Sequence, residues 1–410
     1  MSKSKKFVFD DYNTELEKGN ISFHFTVELE DKGLNFTEQL SFPPVWEKIP
    51  QELLKKILDN LHLILGISYW KLYCPQIIDT GSIKLSKEQA KFWDTVYTKG
   101  LGEFYFKNKI DFRNLVSFPF DKNKFSTPIP FIRKNRHLVP IGGGKDSIVT
   151  AEILKKKDEK FDILTIGESQ IQKDISLVLE KKPIVIRRKI DPKVFELNKR
   201  GEAYNGHVPV SAIIAFLSVM AAIFYDYKEV LVSNEKSANY GNVEYLGEEI
   251  NHQWSKSEEF EQMFNDYVSD NITPDVRYYS FLRDYNELEI ARMFSKYTQY
   301  FNYFSSCNTN FKITGTKSTK KWCGKCPKCL FVFTMLSAYI TKQEILAIFE
   351  KNLFEDETLL SYFKELLGIG EIKPFECVGT PEEMKEALNL ASKKGEFKDS
   401  FLMKFYEENK

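Results

Sequence analysis

The sequence predicts an α/β protein built on a doubly wound parallel sheet. An N-terminal α+β domain precedes the sheet, and a mainly helical part bearing four clustered cysteines follows it. Three observations predict this. Short apolar runs alternate with helical segments from residue 137 to about 245, the pattern of a parallel sheet covered on both faces. The first 135 residues instead carry period-2 alternation. Four cysteines gather between positions 307 and 329. The corresponding divisions are 1–135, 136–245 and 246–410.

The composition fits such a fold. The chain has 410 residues, 42% hydrophobic and 28% charged, enough for two or three domains and a large core. Disordered and low-complexity classes are excluded. Lys+Arg and Asp+Glu both number 58, so no overall basic character points to nucleic acid. Six cysteines are too few for a disulfide scaffold. The lysines of the first six residues are followed by only three apolar residues before Asp10-Asp11, so no export signal is expected. Val210–Tyr225 is the most apolar stretch but falls short of a ~20-residue membrane span. A buried helix and a cytoplasmic protein are expected.

Along the chain, Ile21–Leu29 alternates apolar and polar residues, which predicts a strand. Lys32-Gly33 supplies a turn, and Leu34–Phe42 completes a hairpin. Glu52–Leu65 has helical spacing, and Phe106–Arg136 reads as a connector. Strands are then predicted at 138–141, 161–166, 183–187 and 229–232. Helices are predicted at 147–157, 171–180 and 210–225. Beyond 245 the chain reads as mainly helical, with strong segments at 288–300 and 330–349.

Two strand-end loops carry candidate chemistry. Gly142-Gly143-Gly144-Lys145-Asp146-Ser147 joins a strand to a helix. Three glycines allow close backbone approach to a ligand, and the helix start offers N–H groups to an anion. The common P-loop and dinucleotide patterns both fail here. A glycine-rich turn without ligand is the plain alternative. The second loop, Ser233-Asn234-Glu235-Lys236-Ser237, follows the strand 229–232. There Glu235 suits magnesium and Lys236 suits a developing negative charge.

Cys307, Cys323, Cys326 and Cys329 have the spacing of a four-cysteine zinc site. An iron–sulfur cluster and metal-free thiols remain open. Six lysines and no acids lie between Phe311 and Lys328, offsetting the charge of a metal tetrathiolate. Cys74 and Cys377 are read as bystanders. His207, before the apolar helix, is a candidate base or a packing residue. Arg277 and Arg283 are candidates for an anion contact or for structural ion pairs.

The loop Gly143–Ser147 resembles the Ser-Gly-Gly-x-Asp-Ser loop of N-type ATP pyrophosphatases (the PP-loop fold), with Gly142 in place of the first Ser. The resemblance implies that Gly143, Gly144 and Ser147 hold pyrophosphate and that Asp146 sits near magnesium. Together with Asn205–Pro209, Ser233–Asn239, Tyr279–Leu288 and Trp322–Cys329, the loop resembles the UDP-N-acetylmuramoyl-L-alanyl-L-glutamate epimerases (MurL). That resemblance implies ATP- and magnesium-dependent conversion of the terminal L-Glu of UDP-MurNAc-L-Ala-L-Glu to D-Glu, with release of AMP and pyrophosphate. A second adenylating chemistry, deazaguanine nitrile synthesis or tRNA thiolation, stays open, as does a non-catalytic zinc protein. Deazaguanine synthases share the glycine loop and a cysteine cluster, but their first cysteine lies closer to the triplet than the fifteen residues between Cys307 and Cys323.

Overall fold

The alternating segment at the N-terminus is the centre of an antiparallel meander. In the computed structural model, which describes residues 4–311, 320–370 and 372–410, β1 (Ser4–Glu15), β2 (Asn20–Leu29) and β3 (Gly33–Ser41) pair in sequence. Ile21, Phe23, Phe25, Val27 and Leu29 all point inward. They pack beneath the helix Gln51–Trp70. At Gly66 of that helix a Cβ would lie 2.3 Å from the Phe9 ring, so only glycine permits this approach. β4 (Ile77–Asp79) adds to β1 in parallel.

The second block is parallel, as expected. β5 (His137–Pro140), β6 (Phe161–Ile166), β7 (Ile184–Lys189) and β8 (Glu229–Val232) are joined by β11 (Arg277–Ser280). β9 (Val243–Tyr245) and β10 (Glu248–Ile250) form a separate hairpin. β7 pairs antiparallel with β3, so one sheet crosses residue 135. Its order is β11-β8-β5-β6-β7-β3-β2-β1-β4.

Successive strand residues enter opposite cores. Leu138, Leu164 and Val230 join the core of the helix Val210–Phe224, together with the N-terminal residues. Val139, Ile163 and Leu231 join the core of the helix Lys145–Lys156 and the C-terminal helices. The Trp93 and Phe216 rings stack at 5.2 Å, which ties the first 135 residues to the apolar helix. Among the described residues no helix is long and apolar enough to cross a membrane.

The structure differs from the sequence expectation in several details. β1, β4, β9, β10 and β11 are strands that periodicity did not reveal. The segment 330–349 is two helices, Pro327–Ser337 and Lys342–Phe349, because Thr341 and Glu344 form a capping box that starts the second. Likewise 288–300 is a helix Glu287–Phe294 followed by a 3₁₀ turn at Thr298–Tyr300. Two of the six lysines near the cysteines, Lys312 and Lys317, lie outside the described residues.

The β3–β7 junction is fastened by charge. Arg188 on β7 pairs with the fully buried Glu38 on β3. Tyr69 donates to Glu38 at 2.8 Å, and Arg188 donates to Ser68 at 2.8 Å. Breaking a buried pair leaves an uncompensated charge. Arg188→Met is therefore expected to cost about 3–5 kcal/mol, read by urea unfolding. The double variant Glu38→Gln/Arg188→Met should recover most of that loss.

Candidate functional site

The chain leaves β5, turns through 141–144 and enters the helix Lys145–Lys156. Gly143 has φ +102°, and a Cβ there would lie 2.5 Å from Ile171 Cγ2. Gly144 is the N-cap and offers no side chain to the first helical N–H groups, so these remain available to an anion. From β5 the chain winds to β6 and β7 on one side and later to β8 and β11 on the other. The carboxyl ends of β5 and β8 thus flank the crevice where such sheets bind ligands.

The loop after β8 closes this crevice. Ser233 and Thr150 share a hydrogen bond of 2.8 Å, joining the loop to the glycine-loop helix. The Asn234 carbonyl accepts from Ser280 at 2.6 Å. Glu235 points inward and is buried, whereas Lys236 is exposed. Ser147 is also buried, its hydroxyl on the Gly144 carbonyl at 3.2 Å.

A buried charge cluster lies beside these loops. Lys145 pairs with both Asp146 and Glu287. Lys328 approaches the other Glu287 oxygen at 3.5 Å. The Glu287 backbone N–H donates to Glu383 at 2.7 Å. Burial opposes charge on Lys145 and Glu287 alike, but their opposite neighbours outweigh it. The Lys145 ammonium is held above its usual value and the Glu287 carboxyl below its own. Glu235 is shifted the other way: burial raises it, Glu287 and Asp146 add to that rise, and Lys256 opposes it. The half-buried Asp146 therefore stands with the buried Glu235 and Glu287, three carboxylates in one region.

A second cluster adjoins Lys256. Glu103 Oε2 meets His252 Nδ1 at 2.5 Å and His207 Nδ1 at 3.1 Å. The two imidazole rings stand 4.8 Å apart. Burial drives His207 down to about 3, and the charge of His252 adds to the effect. His252 rises to about 9 because Cys377 and Glu103 outweigh its burial. Cys377 falls to about 5: burial raises the thiol, but Lys256 and His252 prevail.

The four clustered cysteines also converge. Their sulfurs lie within 4.8 Å of one another, with Cys326–Cys329 at 3.4 Å and Cys323–Cys329 at 3.7 Å. A tetrahedron of 2.3 Å Zn–S bonds has edges of about 3.8 Å, so the tetrad matches that size. Backbone N–H groups of Cys323 and Lys325 donate to Cys307 and Cys323 sulfurs at 3.4 Å. This cluster touches the glycine loop. Ser305 donates its N–H to the Gly143 carbonyl at 3.0 Å, and its hydroxyl accepts from the Cys307 N–H at 3.1 Å.

The structure thus brings Gly142, Gly143, Gly144, Lys145, Asp146, Ser147, Ser233, Asn234 and Glu235 to one crevice. His207 sits apart, on Glu103. Near the crevice Lys145 and Lys328 are buried and Lys256 is half-buried, while Lys236 lies at the surface. Arg283 is structural: it pairs with Glu261 at 2.7 Å and donates to the Glu235 and Lys256 carbonyls. Arg277 is exposed and 3.8 Å from Glu229. Sequence reasoning missed Glu287, Lys256, His252 and Glu103, and took Cys377 for a bystander. Asn286 before Glu287 signalled a helix cap, but nothing local marked that carboxylate as buried.

Comparison with known proteins places the chain. Residues 1–281 match the family model "MurL N-terminal domain", and residues 303–410 match "MurL C-terminal domain". A UDP-N-acetyl-alpha-D-muramoyl-L-alanyl-L-glutamate epimerase of Xanthomonas oryzae pv. oryzae is 39% identical over 350 residues, 85% of this chain and 77% of that protein. Proteins of the same name from a Micromonospora species and from Salinispora tropica are 33% and 32% identical. Each of these two alignments covers 96% of this chain, and 88% and 86% of the respective relative.

Glu287→Gln removes the shared partner of two buried lysines. An expected loss of about 3–5 kcal/mol would lower the urea midpoint. Glu289→Gln, on the same helix, would serve as the control with a far smaller change.

Proposed function

This chain belongs to the MurL family, and on that premise we propose that it epimerises the terminal L-Glu of UDP-MurNAc-L-Ala-L-Glu to D-Glu by way of an acyl adenylate. The relatives that carry the epimerase name align over most of their length. The observation that supports adenylation is the glycine loop at the carboxyl end of β5, facing the Glu235 loop across the crevice.

The chemistry has a clear need for activation. A free α-carboxylate opposes removal of the α-proton, because the carbanion would form beside a negative charge. Adenylation removes that charge and makes the acyl group an electron sink. In this reading the N–H groups after Gly143 and Gly144, with Ser147, bind the pyrophosphate portion of ATP. The loop is of the PP-loop ATP pyrophosphatase type. Lys145, held by Glu287, fixes the start of its helix. Lys236 is exposed beside Glu235 and can meet the reacting phosphoryl or carboxyl group.

Asp146 and Glu235 are the residues that would hold magnesium. The upward shift of the Glu235 carboxyl, caused by burial and neighbouring carboxylates, fits a place where a cation is favoured. Magnesium there would offset phosphate charge. The four cysteines would hold zinc, and four thiolates leave no open coordination position, so its role is structural. In this reading the activity is cytoplasmic, in keeping with a nucleotide-linked peptidoglycan precursor as the substrate of the named relatives.

Incubation with ATP, magnesium and UDP-MurNAc-L-Ala-L-Glu in D2O tests the reading. AMP, pyrophosphate, D-Glu and α-deuterium are all expected. AMP without inversion or deuterium would point to another adenylating chemistry, and no AMP would remove adenylation. Asp146→Asn should abolish AMP release; near-wild-type release would refute the loop assignment. Protein purified under reducing conditions should carry about one zinc per four-cysteine cluster, measured by elemental analysis. Metal-free protein would refute that assignment.

A further inference from the structure

Inversion at the glutamate α-carbon requires a group that takes the α-proton, and none of the loop residues is suited to it. Asp146 and Lys145 are occupied with each other. Glu235 lies among the phosphate-side carboxylates, and His207 is fixed on Glu103.

We propose that Cys377 is the base that removes the α-proton, with His252 as the residue that positions its thiolate. This assignment rests on the epimerase reading above and adds a catalytic residue to it.

The placement of Cys377 carries the argument. Its segment, 373–378, runs from the end of the loop after β8 to the cysteine-bearing helix Pro327–Ser337. The Lys373 N–H donates to the Asn242 carbonyl at 3.2 Å. Asn242 in turn donates to the Pro374 carbonyl at 2.8 Å. At the other end, the Lys328 ammonium donates to the Cys377 carbonyl itself. Lys328 is also the lysine that reaches Glu287, the partner of Lys145. Cys377 is thus joined through two ion pairs to the start of the glycine-loop helix. It is partly accessible to solvent, unlike Cys307 and Cys329.

The charges that face the thiol come from every side. His252 and Lys256 interact with it directly, and Lys328 adds its field. Lys373 and Glu376 lie on its own segment, and each feels the charge at Cys377. The cations outnumber the single carboxylate. The net result is a thiol held down to about 5 and hence ionised at neutral pH, as a base must be. Glu103 orients the His252 ring from the far side at 2.5 Å. This is the base-and-orienter arrangement of a catalytic relay.

A separate observation points to a ligand at the same place. Gln253 is 3% exposed and donates to the Val378 carbonyl at 3.3 Å. Its Oε1 is buried with no hydrogen-bond partner among the described residues. A buried acceptor left unpaired is costly, and the peptide N–H of the alanyl-glutamate unit is a donor of the right kind. Such a bond would bring the glutamate α-carbon next to Cys377.

The step balances. The Cα–H bond breaks, its proton forms S–H on Cys377, and the electron pair enters the activated acyl group as an enolate. An acid in exchange with water protonates the opposite face and restores Cα–H. The Cys377 thiol then returns its proton to solvent. Hydrolysis of the acyl phosphate bond releases AMP.

The test compares wild type and Cys377→Ser in D2O with ATP, magnesium and the UDP-muramoyl dipeptide. Deuterium incorporated per AMP released should fall at least ~100-fold in the variant. Uptake per AMP within threefold of wild type would overturn the assignment alone. A wild-type enzyme without deuterium uptake would sink the epimerase reading and the assignment together. Thiol labelling of the wild-type protein gives a second measurement. Iodoacetamide should alkylate Cys377 with a half-point near pH 5. The half-point should move toward the ordinary ~8.5 in His252→Asn. ATP with the dipeptide should slow alkylation at least tenfold. No protection, or a thioester to Cys377 trapped by acid quench, would overturn the role as base.

Discussion

The carboxylate of Glu287 is the constraint around which the site is arranged. It is almost wholly buried, and a buried ion is tolerated only with close partners. Its partners come from far along the chain. Lys145 starts the glycine-loop helix, and Lys328 lies between two of the clustered cysteines. The Glu287 N–H reaches Glu383 on the helix Pro381–Lys394. Glu383 also accepts from Ser237 in the loop after β8 at 2.5 Å. Satisfying this one residue therefore fixes the two strand-end loops, the cysteine-bearing helix and the C-terminal helices relative to one another.

Around that centre the protein separates the protonation behaviour of neighbouring groups. Against its burial, Glu287 is pulled down by Lys145, Lys328 and Lys256, while Glu235 is pushed up by its burial and the neighbouring carboxylates. Cys377 is pulled down while its partner His252 is pushed up. Environments that drive adjacent titratable groups apart are the means by which one fold prepares acids and bases at the same pH. Here the divergence follows a line from the carboxylates beside the glycine loop to the cysteine–histidine cluster.

How much of this could be read from the sequence depended on the range of the signal. Period-2 alternation revealed β2 because Phe23, Phe25 and Val27 face one core. β1 was hidden because a register shift between Phe9 and Tyr12 interrupts its alternation. β11 has only four residues, and its neighbour β8 identifies it, not its own pattern. The glycine turn and the convergence of the four cysteines were legible because each is a short motif with a recognisable spacing. Glu287 was not, since 142 positions separate it from Lys145. Cys377 offered no such signal either: a single cysteine has no spacing to interpret, and its neighbours His252 and Lys256 lie more than a hundred residues upstream.

The tetrad also has a consequence beyond its own stability. Ser305 bonds both the Gly143 carbonyl and the Cys307 N–H, and its hydroxyl donates to the Lys321 carbonyl at 2.6 Å. Gly143 holds a backbone conformation that only glycine adopts readily. Its carbonyl is directed by a residue two positions from a cysteine of the tetrad. Lys328 links the other end of the same cluster to Glu287 and to the Cys377 carbonyl. An ion that drew the four sulfurs together would thus brace the glycine loop through Ser305 and the thiol through Lys328. A metal in this position would brace both places without touching either.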